Sequence, residues 1–330
     1  MSEIFNALPG IEVPVGEISA ALAGIWNDSV ASGGKAPVAD DMRAVQVNLV
    51  LHFGFDATPD DALTEFRTAV RFASRYPSRV VVLCPMREGS GAGAVIRAKI
   101  YGECFLGKSR EDARCCEFVI LNYSLAARRF LESQVSICLS SELPLYYWAH
   151  RFTANHRLAD YNYLLTKARR FIFDSAHAPA DALQYPWPNP AGVRDLAYAR
   201  TLPIRQSIGQ FLSRSAPERL VAGLRRVTSS AEAVHHAEGK ALESWVRGRL
   251  VDCGAQTEAV EWRSAELPHG QDTCFDLAFE YSDAKRFYWR GNCHTGVSEF
   301  DADLGTGEIK LPSHISLLAP EHALAEAMFF

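Results

Sequence analysis

The sequence predicts an α/β chain: a three-layer N-terminal domain on a mixed sheet, then a smaller α+β domain with an antiparallel sheet. Three observations carry this. Apolar, β-branched runs alternate with amphipathic helical patterns as far as about residue 213. Thr58-Pro59-Asp60-Asp61, set between two such runs, is a helix start. From Val260 the apolar residues change to every-other-residue spacing, as in Phe275, Leu277, Phe279 and Tyr281. The expected organisation is an N-terminal helix and linker over 1–40, an α/β domain over 41–215 and an α+β domain over 216–330.

In chain order, Val15, Ile18, Leu22, Ile25 and Trp26 recur at helical spacing, and Ser32-Gly33-Gly34-Lys35-Ala36-Pro37 breaks that helix. Residues 43–53 read as a strand. Thr58 then caps a helix, with Asp61 completing the capping box and Leu63, Phe66, Val70 and Ala73 on its buried face. Pro77 stops it, and Val80 to Leu83 is a fully buried strand, so the three elements form a βαβ unit. Gly89-Ser90-Gly91-Ala92-Gly93 is followed by an alternating pattern and not by a helix, so a hairpin linking two strands is expected there in place of a phosphate loop.

Further strands are expected at Cys116–Tyr123, Leu145–Trp148 and Phe171–Phe173, with helices at 125–138 and around Leu158, Tyr161 and Leu165. A helical segment from Val193 to Leu212 is kinked or split by Pro203. Residues 217–251 read as helical, with Leu242, Trp245, Val246 and Leu250 on one face.

Composition excludes several function classes. A net charge of −5 argues against nucleic acid, whose phosphates need a basic surface. No apolar run approaches the ~20 residues of a membrane helix. Eight cysteines are too few for a disulfide framework, and the N-terminus lacks the pattern of a signal peptide. The expectation is a cytoplasmic protein whose thiols are mostly free.

Candidate chemistry is sparse. Cys115-Cys116 opens a strand, where a buried hydrophobe is the expected role for the inward member. His269, Cys274, Cys293 and His294 can converge from neighbouring strands, but lack the short ligand pairs of a zinc site, and no cofactor or metal is expected. Ligands of open α/β sheets favour strand carboxyl ends. Asp174-Ser175 is therefore the foremost site candidate, with Cys84 and Trp148 at other strand ends, against the alternative of a turn or cap. A sugar-phosphate or nucleotide site at that edge is the second functional reading. Arg200 and Arg205 flank Pro203, positioned either to meet an acidic partner or to pair with Asp195.

Read together, the segments Leu22-x-x-Ile25-Trp26, Val45-x-Val47-Asn48-Leu49, Pro77-Ser78-Arg79, Cys116-x-x-Val119 and Leu143-Pro144-x-Tyr146-x-Trp148 resemble the glucose-6-phosphate dehydrogenase assembly protein family, OpcA. So do Asp174-Ser175, Asp195-Leu196-x-Tyr198-x-Arg200, Leu202-Pro203-Ile204-Arg205 and Phe211. The likeness covers residues 14–213. The chain departs from it where the family shows tryptophan in place of Ile204, and often two tryptophans in place of Tyr147-Trp148. The resemblance implies a protein that is not an enzyme, binds glucose-6-phosphate dehydrogenase and promotes its active form. Arg79, Trp148, Asp174, Ser175, Tyr198, Arg200 and Arg205 are the expected partner-binding residues, since Trp, Tyr and Arg anchor interfaces.

Overall fold

Among the residues that the computed structural model describes (3–31, 45–86, 93–106, 113–152, 158, 160–268 and 272–330), eight strands build one sheet and six another. They fall into two units, Met1–Asp195 with Leu324–Phe330, and Leu196–Ala323. The expected boundary near 215 thus lies inside the second unit, because Ile204, Ile208 and Phe211 belong to that unit's core.

The helices of the first unit are α1 (Glu3–Ala7), α2 (Ile18–Ala31), α3 (Pro59–Arg75), α4 (Arg128–Cys138) and α5 (Asn162–Lys167). Its strands are β1 (Ile11–Val13), β2 (Val47–Phe53), β3 (Ser78–Pro85), β4 (Ile96–Leu106), β5 (Ala113–Tyr123), β6 (Leu145–His150), β7 (Ala168–Phe173) and β8 (Val193–Asp195). The sheet order is β1-β4-β5-β3-β2-β6-β7-β8. Strands β5 to β8 in that order run parallel, and β4 and β1 are added antiparallel at one edge.

Central parallel strands must be apolar on both faces, and all seven residues of β2 are buried. On one face Val81, Leu83, Val119 and Leu121 pack with Ile18, Leu22, Leu131 and Val135 of the helices. Phe118 points the other way, where the Phe66 ring of α3 lies 4.8 Å from it. Helices therefore cover both faces, as a three-layer domain requires. Asn48, a buried polar residue on β2, donates to the carbonyls of Ser140 and Leu143 and accepts from the Ser140 N–H, which fixes the turn leading into β6.

The capping box at Thr58 forms as expected: its hydroxyl accepts from the Asp61 N–H while the Asp61 carboxylate accepts from the Thr58 N–H. The segment 89–93 does not link a two-strand hairpin, because β5 lies between β3 and β4. Residues 87–92, the linker 32–37 and the side chains of Ile25 and Trp26 lie outside the described set. Cys104 and Cys115, opposite each other in the β4–β5 ladder, form a disulfide. The other six cysteines are free, in line with thiols that are mostly free, while the cause of the bridge is register, which no cysteine count reveals. Phe329 belongs to this unit and packs on Tyr76 and Tyr146, and Arg170 donates to the Ala327 carbonyl.

The second unit contains α6 (Leu196–Arg200), α7 (Leu202–Leu212), α8 (Pro217–Val221) and α9 (His236–Asp252), followed by the terminal α10 (Pro320–Phe329), whose last turns join the first unit. Its strands are β9 (Leu224–Glu232), β10 (Glu261–Leu267), β11 (Phe275–Tyr281), β12 (Arg286–Asn292), β13 (Val297–Asp303) and β14 (Ile309–His314), in the order β10-β9-β11-β12-β13-β14. All neighbours are antiparallel except β10 and β9, which run parallel. Leu242, Val246 and Leu250 of α9 cover Val227, Leu277, Phe279 and Trp289 on one face.

Two sequence expectations are corrected here. Residues 224–232 are a strand and not part of a helix. Gly223, at φ +73°, breaks the chain after α8, and β9 lies between β10 and β11, so its backbone is paired on both sides. The segment from Val193 begins as the short strand β8. Pro203 then sits in the first turn of α7, where its missing N–H costs no bond, so the helix is split at Thr201 and not kinked.

Candidate functional site

The carboxyl edge of the first sheet is formed by the ends of β2, β3, β6 and β7, and its side chains are largely committed to one another. His52 closes β2 with one ring nitrogen on the Tyr147 hydroxyl and the other 2.7 Å from the Tyr123 hydroxyl. Tyr123 in turn bonds the Tyr161 hydroxyl at 2.5 Å. Burial pushes the His52 pKa down to about 3, so the imidazole is neutral, one nitrogen donating and the other accepting. With both nitrogens occupied, it is a structural link and not a base facing substrate. Cys84, at the end of β3, is buried and its thiol is pushed far up by that burial, the reverse of an activated nucleophile.

Next to it the chain turns tightly. A Cβ on Gly54 would lie 2.0 Å from the Arg151 carbonyl oxygen, so glycine is required for this approach. Arg151 itself has φ 52°, and its Nε lies 2.9 Å from Asp61 Oδ2. His150 is buried with Nδ1 3.8 Å from Glu65 Oε1, and burial brings its pKa down to about 4.

Asp174 and Ser175 take the turn-and-cap alternative. Asp174 Oδ1 accepts from the Ala176 N–H, its carbonyl accepts from His177 and Ala178, and the Ser175 N–H donates to Asp195 Oδ1. Two depressions open on this edge. One is lined in part by Phe152, Phe171, Asp174 and Trp187, the other by His52, Gly54, Tyr123 and Asp160. Each holds about 10 Å³, room for about one water where a nucleotide-sized ligand needs roughly 300 Å³ or more. The described edge therefore gives no support to the sugar-phosphate reading.

The remaining expected anchors are dispersed. Arg79 sits at the opposite, amino end of the parallel strands and pairs with cross-strand Glu117 at 3.0 Å. Trp148 is 1 % exposed, on the core side of β6, and offers no surface for docking. Cys116 is likewise buried, its thiol pushed up to about 12 by that burial.

In the second unit, Tyr198, Arg200 and Arg205 do form one cluster. Helices α6 and α7 place the Arg205 guanidinium 3.8 Å from the centre of the Tyr198 ring, and its Nη1 donates to the Tyr198 hydroxyl. Arg205 is buried while Tyr198 is 39 % exposed, so the arginine stiffens the tyrosine and the tyrosine carries the surface. Arg200 Nε reaches Glu238 Oε1 at 2.6 Å, an ion pair whose acid is buried. Glu238 was not visible as a partner because it lies 38 residues away on α9.

Sequence reasoning also missed the outer face of α4. Phe130 and Ile137, two helical turns apart, are 46 % and 65 % exposed, whereas Leu131, Val135 and Cys138 form its buried side. Helical periodicity alone contains the signal, since these two fall off the apolar stripe.

No curated protein matches the chain. Residues 69–185, which run from the middle of α3 through β3 to β7 and include α4, match the family model described as glucose-6-phosphate dehydrogenase subunit N-terminal domain. Over that segment the chain is similar to the glucose-6-phosphate dehydrogenase assembly protein family.

Proposed function

We propose that this chain is a non-enzymatic assembly factor and allosteric activator that binds glucose-6-phosphate dehydrogenase and promotes its active form, serving the oxidative pentose phosphate pathway. The observation that carries the reading is the family match over residues 69–185. The chemistry of His52 and Cys84 on the carboxyl edge agrees with it: the buried imidazole is hydrogen-bonded through both nitrogens and the buried thiol is held far from its thiolate form.

An activator of this kind works by binding the active conformation more tightly than the inactive one, and the shift cannot exceed that difference in affinity. The docking face in this reading is the outer side of α4, within the matched segment, where Phe130 and Ile137 provide apolar anchors and the Arg129 guanidinium lies 4.7 Å from the Phe130 ring. Tyr198 on α6 is the second exposed aromatic anchor. Mixing the purified chain with its cognate dehydrogenase tests the proposal. Co-elution with a lower KM for glucose 6-phosphate or a higher rate is expected. Separate elution with unchanged kinetics would overturn it.

A further inference from the structure

The second sheet ends in a group of donors that the assembly role does not use. Glu232 closes β9, Cys274 precedes β11, and His294 lies in the turn from β12 to β13. Backbone hydrogen bonds tie Glu232 and Cys274 to each other and to β12: the Glu232 N–H donates to the Cys274 carbonyl, and the Cys274 N–H to that of Gly291. One ligand atom from each of the three residues falls within 4.8 Å of the others. Glu232 Oε2 and His294 Nε2 are 3.8 Å apart. Ligands on a tetrahedral zinc ion, at bonds of ~2.0–2.3 Å, stand about 3.3–3.8 Å from one another, so only a small contraction closes the set. The Cys293 N–H lies 3.3 Å from Cys274 Sγ and steadies that sulfur beside the set.

We propose that Glu232, Cys274 and His294 form a binding site for a thiophilic divalent cation, zinc foremost. The donor set of one sulfur, one imidazole and one carboxylate suits zinc and disfavours magnesium or calcium, which take oxygen.

Two features of the group argue for a cation. The Glu232 side chain is 5 % exposed, and its ionic partner among the described residues is a histidine that is itself 69 % exposed. A buried carboxylate is costly without a compensating charge. Cys274 gives its proton to solvent as the sulfur–metal bond forms. The turn carrying His294 is fixed in advance. Asn292 Oδ1 accepts from the His294 and Thr295 N–H groups at 2.8 and 3.0 Å, and Gly296 closes the turn at φ +73°. Glu232 is the member that short-motif reasoning cannot find, lying 42 residues before Cys274 (274 − 232). His269, weighed with this set in the sequence, is outside the described residues.

The test uses the full chain, stripped with chelator and kept under reductant, titrated with zinc against a chromophoric chelator and separately with cobalt(II). One equivalent should bind, and cobalt should give a thiolate charge-transfer band with the visible absorption of a tetrahedral site. Cys274→Ser and His294→Ala should each weaken zinc at least about tenfold, and Cys274→Ser should abolish the charge-transfer band. His294→Ala alters an exposed side chain, so it keeps the test valid if the buried cysteine variant misfolds. Absence of stoichiometric binding, or affinity that neither variant changes, would overturn the site. A charge-transfer band untouched by Cys274→Ser would also overturn it.

Discussion

Arg151 Nε lies 2.9 Å from Asp61 Oδ2, the same carboxylate that closes the capping box of α3. One acid thereby ties a helix start to the tight turn after β6, where Arg151 adopts a left-handed φ and Gly54 approaches its carbonyl. Burial alone would raise the Asp61 carboxyl, but hydrogen bonds from the Thr58 N–H and hydroxyl, with the Arg151 charge, hold it below the usual range. The ion pair is partly exposed and contributes little. The cap carries most of the effect. Thr58→Ala should destabilise the chain by about 1 kcal/mol, and Asp61→Asn by a similar amount, seen as a lower urea midpoint with unchanged slope. Gly54→Ala should cost more than either, since backbone must move. Equal midpoints for wild type and Thr58→Ala would contradict this account.

Two buried histidines set the acid limit. His52 and His150 have folded pKa values of about 3 and about 4, both lowered by burial, against an unfolded value of about 6.5. Between those limits the unfolded chain binds more protons than the folded one, so stability rises with pH there and falls on acidification. Each histidine should remove about 2 kcal/mol on going from pH 6.5 to 5, at roughly 1.4 kcal/mol per pH unit. Asp61, with its lowered pKa, adds a loss only below the usual aspartate range. Urea unfolding at pH 7.5 and pH 5 measures the slope, and His150→Gln should flatten it. A stability independent of pH across this window would show that the rings are solvated.

The Cys104–Cys115 bridge joins directly opposite residues of β4 and β5, an antiparallel pair. Closing a loop of about eleven residues stabilises by roughly 2–3 kcal/mol in the chain-entropy account. Under oxidising conditions, denatured protein should therefore show two fewer reactive thiols than after reduction. Cys104→Ser with Cys115→Ser should lower stability by the same amount that reductant does. Identical thiol counts with and without reductant would disprove the bridge.

The sequence makes some of this legible and not the rest, for physical reasons that differ by residue. Thr58 and Asp61 are readable because a capping box is local, and Val80 to Leu83 because a central parallel strand needs apolar side chains on both faces. The strand at 224–232 is not, since Leu220, Leu224 and Val227 repeat at helical spacing and only Gly223 marks the break. Trp148 and Arg205 look like anchors by residue type, yet burial is decided by which sheet face and which helix side they occupy. The pairing of Arg200 with Glu238 and the meeting of Cys274 with Glu232 depend on tertiary approach across many residues. Short-range spacing contains none of that information.

The outer face of α4 provides the sharpest test of partner binding. Phe130 and Ile137 point to solvent while Leu131 and Val135 hold the helix to the sheet, so charge can be introduced on one side without touching the other. Exposed substitutions away from special features change stability by no more than about 0.5 kcal/mol. A buried interface anchor, by contrast, contributes about 2 kcal/mol or more, close to thirtyfold in Kd. Phe130→Asp with Ile137→Asp should therefore leave the urea midpoint near wild type and weaken association with glucose-6-phosphate dehydrogenase by at least thirtyfold, lowering activation in parallel. Tyr198→Ala should act in the same direction, because Arg205 fixes the ring and its loss removes a preorganised contact. If the α4 double variant binds and activates as wild type does, the partner docks elsewhere. If only Tyr198→Ala weakens binding, the face on α6 carries the interface.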